Sequence, residues 1–229
     1  MKYHNTSFVK SLKGLITASL VAAAGLSTAS AAFITINTGV SNEGTDNVLF
    51  NDNTLQHSGL FVQGNFSGTG AGYVVRFTSS SGNGTLEGGG GQATVNGLIG
   101  NNPFNSLTFA LENGATFTKA VLNPDSTANG LIDFSVLYIN GAGSPFLETF
   151  SLGGNGSNFF NIESNSGAKI QSVTFSTKNT SFKDASQFRL GGFAQKATNL
   201  VPDGGATFVS LGVALLGLGS IRKLFAGKA

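Results

Sequence analysis

The chain has no cysteine and no tryptophan, and it is poor in proline and in charge. Its 229 residues include 4 Pro, and Asp, Glu, Lys and Arg together make up only 10%, against about 25% in ordinary globular proteins. Without cysteine it can form no disulfide framework, thiolate metal site, cysteine nucleophile or lipid anchor on a modified cysteine. It is too apolar for compositional disorder, because 40% of its residues are hydrophobic and 20 are Phe.

The basic residues are concentrated at the two ends. Residues 32–200 hold seven Lys or Arg and ten Asp or Glu, which leaves three net negative charges, whereas the remaining basic residues precede position 32 or follow position 220. A body with this balance cannot neutralise a row of phosphates, so the sequence argues against nucleic-acid binding.

The first 31 residues have the three-part layout of a secretory signal peptide. A start with three lysines precedes the uncharged apolar stretch 15–26, and Ala29-Ser30-Ala31 supplies the small residues that signal peptidase accepts. An apolar run of about a dozen residues is short for a spanning helix. The sequence predicts export through the translocon and cleavage that leaves Ala32 as the mature N-terminus. An uncleaved anchor or a core helix is the alternative.

The last 29 residues combine a turn, an apolar run and a basic end. Val201-Pro202-Asp203-Gly204-Gly205 precedes the uncharged segment 206–221, and Arg222-Lys223 follows within the basic end 222–229. As a helix, 206–221 would be about 24 Å long, and snorkelling basic side chains can cover the rest of a hydrocarbon core of about 30 Å. The basic pair, as the membrane stop, is expected on the cytoplasmic side, which leaves the body outside.

The tail resembles the PEP-CTERM and VPDSG-CTERM sorting tails of Gram-negative surface proteins. Val201, Pro202, Asp203 and Gly205 match the VPDSG form, and Gly204 stands where that form has serine. The resemblance implies recognition by an exosortase-type membrane transpeptidase, chiefly through Pro202 and Asp203. It also implies transient anchoring in the inner membrane and then transfer to the cell surface or the extracellular matrix. A plain, retained membrane anchor is the alternative.

The intervening body, 32–200, predicts an all-β fold. Short apolar runs alternate with clusters of Gly, Asn, Ser and Thr, and several runs have period two, as in Leu107, Phe109 and Leu111. Asn-Gly pairs between the runs suit tight turns. We expect one antiparallel β-sandwich or jelly roll, with a core rich in Phe. Its predicted strands are 33–37, 60–66, 73–78, 93–96, 107–111, 116–122, 131–140, 146–152, 159–162, 170–176 and 187–193.

A second resemblance lies within this body. The run 153–162, the strand 170–175 and the segment Arg189-Leu190-Gly191-Gly192 are similar to stretches found in bodies that carry such tails. This resemblance implies a β-sandwich and no known activity. From the residues themselves, the Asn-Gly run predicts a turn followed by a strand.

Candidate catalytic and metal-binding residues are few, and the sequence predicts neither a catalytic residue nor a cofactor. His57 is the one histidine after position 31, and no Gly-x-Ser-x-Gly motif accompanies it. A calcium site on Glu43, Asp46, Asp52 and Asn53 lacks the Asp-x-Asp-x-Asp spacing. The glycine runs 68–72 and 88–91 open no helix after a strand and are therefore interpreted as loops, not as phosphate sites.

Three functions remain open for the body. A non-catalytic structural role at the surface or in the matrix is the first. A glycan-binding module in an exopolysaccharide matrix is the second, although Tyr73 and Tyr138 are the only Tyr or Trp of the body. A secreted glycoside hydrolase is the third, with paired carboxylates drawn from Glu87, Glu112, Glu148 and Glu163.

Overall fold

The computed structural model describes residues 32–79, 85–89, 93–97, 103–141, 143–154 and 156–195. Among these there is no α-helix and no helix long and apolar enough to span a membrane. The predicted signal peptide and sorting tail lie outside the described residues. The described strands are β1 (Phe33–Thr38), β2 (Asp46–Leu49), β3 (Ser58–Gly59), β4 (Phe61–Phe66), β5 (Val74–Thr78), β6 (Leu86–Gly89), β7 (Thr94–Gly97), β8 (Ser106–Leu111), β9 (Lys119–Ser126), β10 (Gly130–Ile139), β11 (Phe146–Leu152), β12 (Phe160–Asn165), β13 (Lys169–Thr177) and β14 (Phe182–Gly191).

The strands form two antiparallel layers joined through one short strand. The first sheet has the order β1-β12-β9-β14 and continues through β7, β6 and β3; the second has the order β4-β5-β8-β13-β10-β11. Strand β2 belongs to both, because Asp46 and Asn47 pair with β14 whereas Val48 and Leu49 pair with β4. Isolated bridges between Phe104 and Phe182 and between Phe117 and Ile170 also join the two sheets. The fold is therefore all-β and sandwich-like, which confirms the predicted fold class at this level.

Phenylalanine rings fill the space between the two sheets. Phe188 of the first sheet packs against Phe77 and Phe109 of the second, with ring centroids 4.7 and 5.6 Å apart. Phe134 and Phe160 meet in the same way at 4.9 Å. Ring pairs at these separations stabilise the fold by more than the burial of their apolar area alone. The expected Phe core is confirmed, and the described residues with 5% or less of their surface exposed include Phe66, Phe77, Phe104, Phe109, Phe117, Phe134, Phe160, Phe175, Phe182 and Phe188.

Each of the eleven predicted strands overlaps an observed one, and β2, β3 and β6 were missed. These three are short and contain polar residues or glycine, so neither apolar periodicity nor β propensity marks them. The interpretation of 88–91 as a loop is wrong for Gly88 and Gly89, which belong to β6. The Asn-Gly turns are confirmed at Asn113 and Asn140, which have φ of 57° and 63°.

The largest displacements are at β9 and β14, which were predicted at 116–122 and 187–193 and are observed at Lys119–Ser126 and Phe182–Gly191. Strand β9 continues through Pro124 to Ser126, beyond the predicted end at 122. Pro124 is tolerated because β12 pairs with β9 only as far as Leu122, so that this part of β9 has a strand neighbour on one side alone. On the other side lies the loop before β12, where Asn158 Nδ2 donates to the carbonyl oxygens of Pro124 and Gly153. Side-chain contacts of the loop therefore replace a strand at this edge.

The Arg189–Gly192 segment closes the corner of the sandwich. Arg189 donates from Nε to the hydroxyl of Thr45 and from a terminal nitrogen to the Thr45 carbonyl, at 3.2 and 3.4 Å. A Cβ on Gly191 would lie 1.9 Å from the carbonyl oxygen of Gly44, and one on Gly192 would collide with the Thr118 hydroxyl. These residues hold the end of β14 close to the turn before β2, so this stretch has a structural role here.

Candidate functional site: the outer face of the second sheet

The outer face of the second sheet is built by the period-two alternation of its strands. One row of side chains in register crosses all six strands, and it consists of Phe61, Thr78, Thr108, Thr174, Ser135 and Leu147. The hydroxyl oxygens of Thr108 and Thr174 are 2.7 Å apart. The inward neighbours, among them Phe109, Phe134 and Phe175, are buried. The sequence therefore sends Phe to the core and small hydroxylated side chains to this face.

A depression of about 510 Å³ lies on this face where β10, β11 and β13 run side by side. Its lining combines two residues with carboxylates, one with an ammonium group, several with hydroxyls, and apolar residues. The lining residues are Asp133, Phe134, Ser135, Leu147, Glu148, Thr149, Thr174, Ser176 and Lys178.

Asp133 lies at the centre of the polar groups. Its Oδ2 is 2.8 Å from Lys178 Nζ, and its Oδ1 accepts a hydrogen bond of 2.6 Å from the Thr149 hydroxyl. The hydrogen bond from Lys178 and then that from Thr149 hold the pKa of Asp133 below its ordinary value. The carboxylate is therefore ionised at neutral pH, and each oxygen keeps a lone pair for a further donor.

Leucine side chains border the polar groups. Leu147 leaves 69% of its surface exposed, and Leu131 and Leu137 of β10 are also exposed on this outer face. Their register partners across the sheet are small serines: Ser135, Ser151 and Ser172. The face thus offers aliphatic surface beside hydrogen-bonding groups, the combination that fixes the position of a small polar ligand.

The two tyrosines do not form an exposed sugar platform. Tyr138 is 5% exposed and belongs to the core. Tyr73 is half-buried and stacks on Phe193, with ring centroids 5.0 Å apart and planes at 22°. A glycan-binding face among the described residues would therefore not rest on tyrosine. For the aliphatic and polar side chains of the second sheet, the sequence contains no signal beyond the alternation of Ser and Thr with Phe.

His57 and the acidic stretch before it have local contacts. The imidazole packs edge-on against Phe50, and its Nε2 is buried without a hydrogen-bond partner among the described residues. Asp46 accepts hydrogen bonds from the Thr69 hydroxyl and the Gly70 amide. Asp52 accepts from Thr54, and these hydrogen bonds lower its pKa. The described part of the chain contains no group of three or more acidic or histidine side chains that could hold a metal ion.

The four glutamates considered for hydrolysis lie on separate elements, and none faces another in the strand register. Glu163 of β12 lies 3.7 Å from Lys119 Nζ, and Glu112 accepts a hydrogen bond from Gln63. Glu87 lies opposite Asn96 and Ser58, and Glu148 lies opposite Phe134.

Sequence reasoning missed a pair of aspartates. Asp125 of β9 and Asp184 of β14 are register partners on the outer face of the first sheet. Burial, followed by the carboxylate of Asp125, raises the pKa of Asp184 above its ordinary value. Lys183 lies 3.6 Å from Asp125. Both aspartates fall outside the predicted strand boundaries, so no sequence pattern indicated that they pair.

Most residues predicted to be recognised by processing enzymes are not described by the structure. Ala29 and Ala31, the motif Val201–Gly205, and the basic pair Arg222 and Lys223 lie outside the described residues. Ala32 is the first described residue, and it packs against the core with 9% of its surface exposed.

No protein-family model and no curated protein sequence matches the chain. Among solved structures, it is similar to the family 11 carbohydrate-binding module of the cellulosomal cellulase Lic26A-Cel5E of Clostridium thermocellum, with 13% identity and a TM-score of 0.27 over 67% of this chain and 98% of that one. It is also similar to CBM29_1, a family 29 carbohydrate-binding module from Piromyces equi, with 11% identity and a TM-score of 0.23 over 75% and 97% of the two chains. Both similarities are remote, and no residue here takes a role from them.

Proposed function

We propose that this chain is an exported, non-catalytic protein of the bacterial surface or extracellular matrix, and that its body binds polysaccharide on the outer face of the second sheet. The observation that supports binding most directly is the ionised Asp133 between Lys178 and Thr149, in an open depression bordered by Leu147. Carboxylates and ammonium groups form the strong hydrogen bonds with sugar hydroxyls, and the leucine covers an apolar face of the sugar.

The shape of the face also supports an extended ligand. A row of small hydroxylated side chains continues from the depression across β13 and β8 to β5, with Thr174, Thr108 and Thr78 in register. Three interstrand spacings, about 14 Å, separate β10 from β5. A polymer lying across the strands can therefore contact several hydroxyls, whereas a single sugar would occupy the depression alone.

Replacing Asp133 tests the binding face. In the exported protein, we expect D133N to weaken binding to the polysaccharide of the producing cell about tenfold, which corresponds to the loss of one charge-assisted hydrogen bond. Affinity electrophoresis or calorimetry measures this change. The matched control is E163Q, because Glu163 is an ion-paired carboxylate on the outer face of the other sheet. Equal binding by wild type and D133N would contradict the proposal, and release of reducing sugar from the bound polymer would contradict the non-catalytic assignment.

The route to the surface is proposed from the two ends of the sequence. The leader delivers the body across the membrane, segment 206–221 holds it briefly, and an exosortase-type enzyme processes the tail near Val201–Gly205. Mass spectrometry of the exported protein, from cells with and without the membrane enzyme, tests this route. We expect a chain that begins at Ala32 and lacks Lys228 and Ala229. Recovery of those two C-terminal residues in the released form would contradict processing.

A further inference from the structure

Arg76 on the proposed binding face forms no ion pair among the described residues. Arg76 of β5 is exposed, and its guanidinium carbon lies 3.6 Å from the centroid of the Phe61 ring on β4. The three ion pairs of the described residues involve Lys119, Lys178 and Lys183, so Arg76 takes part in none of them. Gln63, the register partner of Arg76 on β4, donates to Glu112 at 2.6 Å. The nearby glutamate is thus engaged by an amide.

The ring contact orients the guanidinium group without using its donors. A guanidinium over an aromatic face gains a cation–π interaction and loses part of its side-chain freedom, while its N–H groups remain available at the edge. Two other described cations lie on this face: Lys178 is paired with Asp133 at 2.8 Å, and Lys169 lies at the start of β13, opposite Ile139. Arg76 is therefore the unpaired basic group whose orientation a ring contact fixes.

Arg76 is in line with the rest of the face. Its register partner on β8 is Ala110, and Ala110 in turn faces Ser172 of β13. These small side chains lie one row away from the paired hydroxyls of Thr108 and Thr174. The guanidinium group itself lies over Phe61, at the β4 end of the row of side chains that begins in the depression. A polymer seated in the depression and running across the strands would reach the guanidinium group.

From these observations, we propose that the polysaccharide carries carboxylate groups and that Arg76 binds one of them. This inference rests on the proposed function and specifies the class of its ligand as a polysaccharide that contains uronate residues. One carboxylate contacts Arg76, so the net-negative body does not have to neutralise a row of charges. The guanidinium fork matches a carboxylate through two parallel hydrogen bonds, a geometry that a hydroxyl of a neutral sugar cannot reproduce. A sulfate ester can also accept two hydrogen bonds from a guanidinium group, and the test distinguishes a carboxylated from a sulfated polysaccharide.

The test compares binding to alginate, a polyuronate, with binding to the same polymer after reduction of its carboxyl groups and to dextran sulfate. The exported protein is compared with R76Q, R76K and the matched control K183Q, which removes a cation from the outer face of the other sheet. We expect wild type to prefer alginate over its reduced form, and R76Q to bind alginate about tenfold more weakly, which is the value of one charge-assisted contact. R76K retains the positive charge but lacks the two parallel donors of the guanidinium group, so its affinity for alginate is expected to lie between those of wild type and R76Q. K183Q is expected to bind alginate as wild type does.

The outcomes separate this inference from the proposed function. If wild type binds alginate and its reduced form equally, or if R76Q weakens both to the same extent, the carboxylate assignment is overturned while polysaccharide binding through Asp133 stands. Tighter binding of dextran sulfate than of alginate, lost in R76Q, overturns the assignment in favour of a sulfate ester. If D133N is also without effect on every polymer, the proposed function itself fails. Unchanged thermal unfolding of R76Q shows that a binding loss does not reflect misfolding, as its exposed position leads us to expect.

Discussion

Asp184 illustrates how a single residue acquires properties that its sequence neighbours do not indicate. It faces Asp125 across the β9–β14 pair, and burial followed by that carboxylate raises its pKa above the ordinary value of 3.8. The stabilising contribution of protonated Asp184 is thus fully present below about pH 3.8 and is lost as the pH rises through the folded-state pKa. At neutral pH the two carboxylates repel each other.

Neutralising Asp184 should therefore stabilise the protein in a pH-dependent way. We expect D184N to melt at a higher temperature than wild type at pH 7, and the difference to shrink as the pH falls through the raised pKa, because wild-type Asp184 then also becomes neutral. Thermal unfolding followed by circular dichroism between pH 3 and 8 measures both curves. A constant difference across this range would contradict the assignment.

The pKa of Asp52 is shifted in the opposite direction to that of Asp184, so its effect on stability has the opposite pH dependence. Hydrogen bonds from Thr54 hold the pKa of Asp52 below its ordinary value, so its contribution is present at neutral pH and is lost as the pH falls through the folded-state pKa. In the same unfolding series we expect D52N to be the less stable protein at pH 7 and to approach wild type in acid. A gain in stability at pH 7 would refute this reasoning.

Gly191 shows the effect of close backbone approach. Its ideal Cβ position lies 1.9 Å from the Gly44 carbonyl oxygen, which is backbone and cannot rotate away. We expect G191A to lower the free energy of unfolding by about 3 kcal/mol, at the upper end of the usual cost of overpacking. The control is G89A in β6, where an added Cβ would meet no atom within 4 Å. Urea titration of both variants measures the free energy of unfolding. Equal decreases for G191A and G89A would contradict this prediction and show that the backbone around Gly191 and Gly44 can move apart.

At the scale of the element, the contact between the sheets depends on rings that face each other across the core. Phe188 of β14 is 1% exposed and contacts two rings of the other sheet. We expect F188A to destabilise the protein by about 4 kcal/mol, because truncation removes buried area and leaves a cavity. L147A removes an exposed side chain of β11 and should change stability by less than about 0.5 kcal/mol. Equal denaturation midpoints for the two variants would contradict the assigned core.

The sequence identified elements where the burial pattern was regular, and it missed strands that are too short to show such a pattern, although Val48 of β2 and Leu86 of β6 are buried in the core. Leu107, Phe109 and Leu111 alternate as predicted, and all three are buried in β8. Strand β2 contains Asp46 and Asn47 and depends on pairing with β14 and β4. The extension of β9 past Pro124 depends on contacts with Asn158. Such contacts join residues that are far apart in the chain, and local propensity does not detect them.

At the scale of the whole molecule, the predicted export route and the proposed binding face use different parts of the chain. The sequence-based route uses 1–31 and 201–229, whereas the proposed binding face lies on strands between Phe61 and Lys178. We expect the joint substitution P202A/D203A to leave the C-terminal residues on the protein and to retain it in the membrane fraction, without changing polysaccharide affinity in detergent. Cell fractionation and mass spectrometry measure the first effect. Normal release of this variant would contradict recognition through the motif.

What the sequence determined by itself is the class of the body and its expected route. The alternation of Phe with Ser and Thr requires two-faced strands, and the basic and apolar ends predict export from charge and hydropathy alone. Tertiary structure decided which side chains meet. Asp133 lies on β10 and Lys178 directly after β13, whereas Asp125 with Asp184 and Arg76 with Phe61 lie on neighbouring strands. Strand order and register bring these pairs together, and both arise from the packing of distant segments around one core.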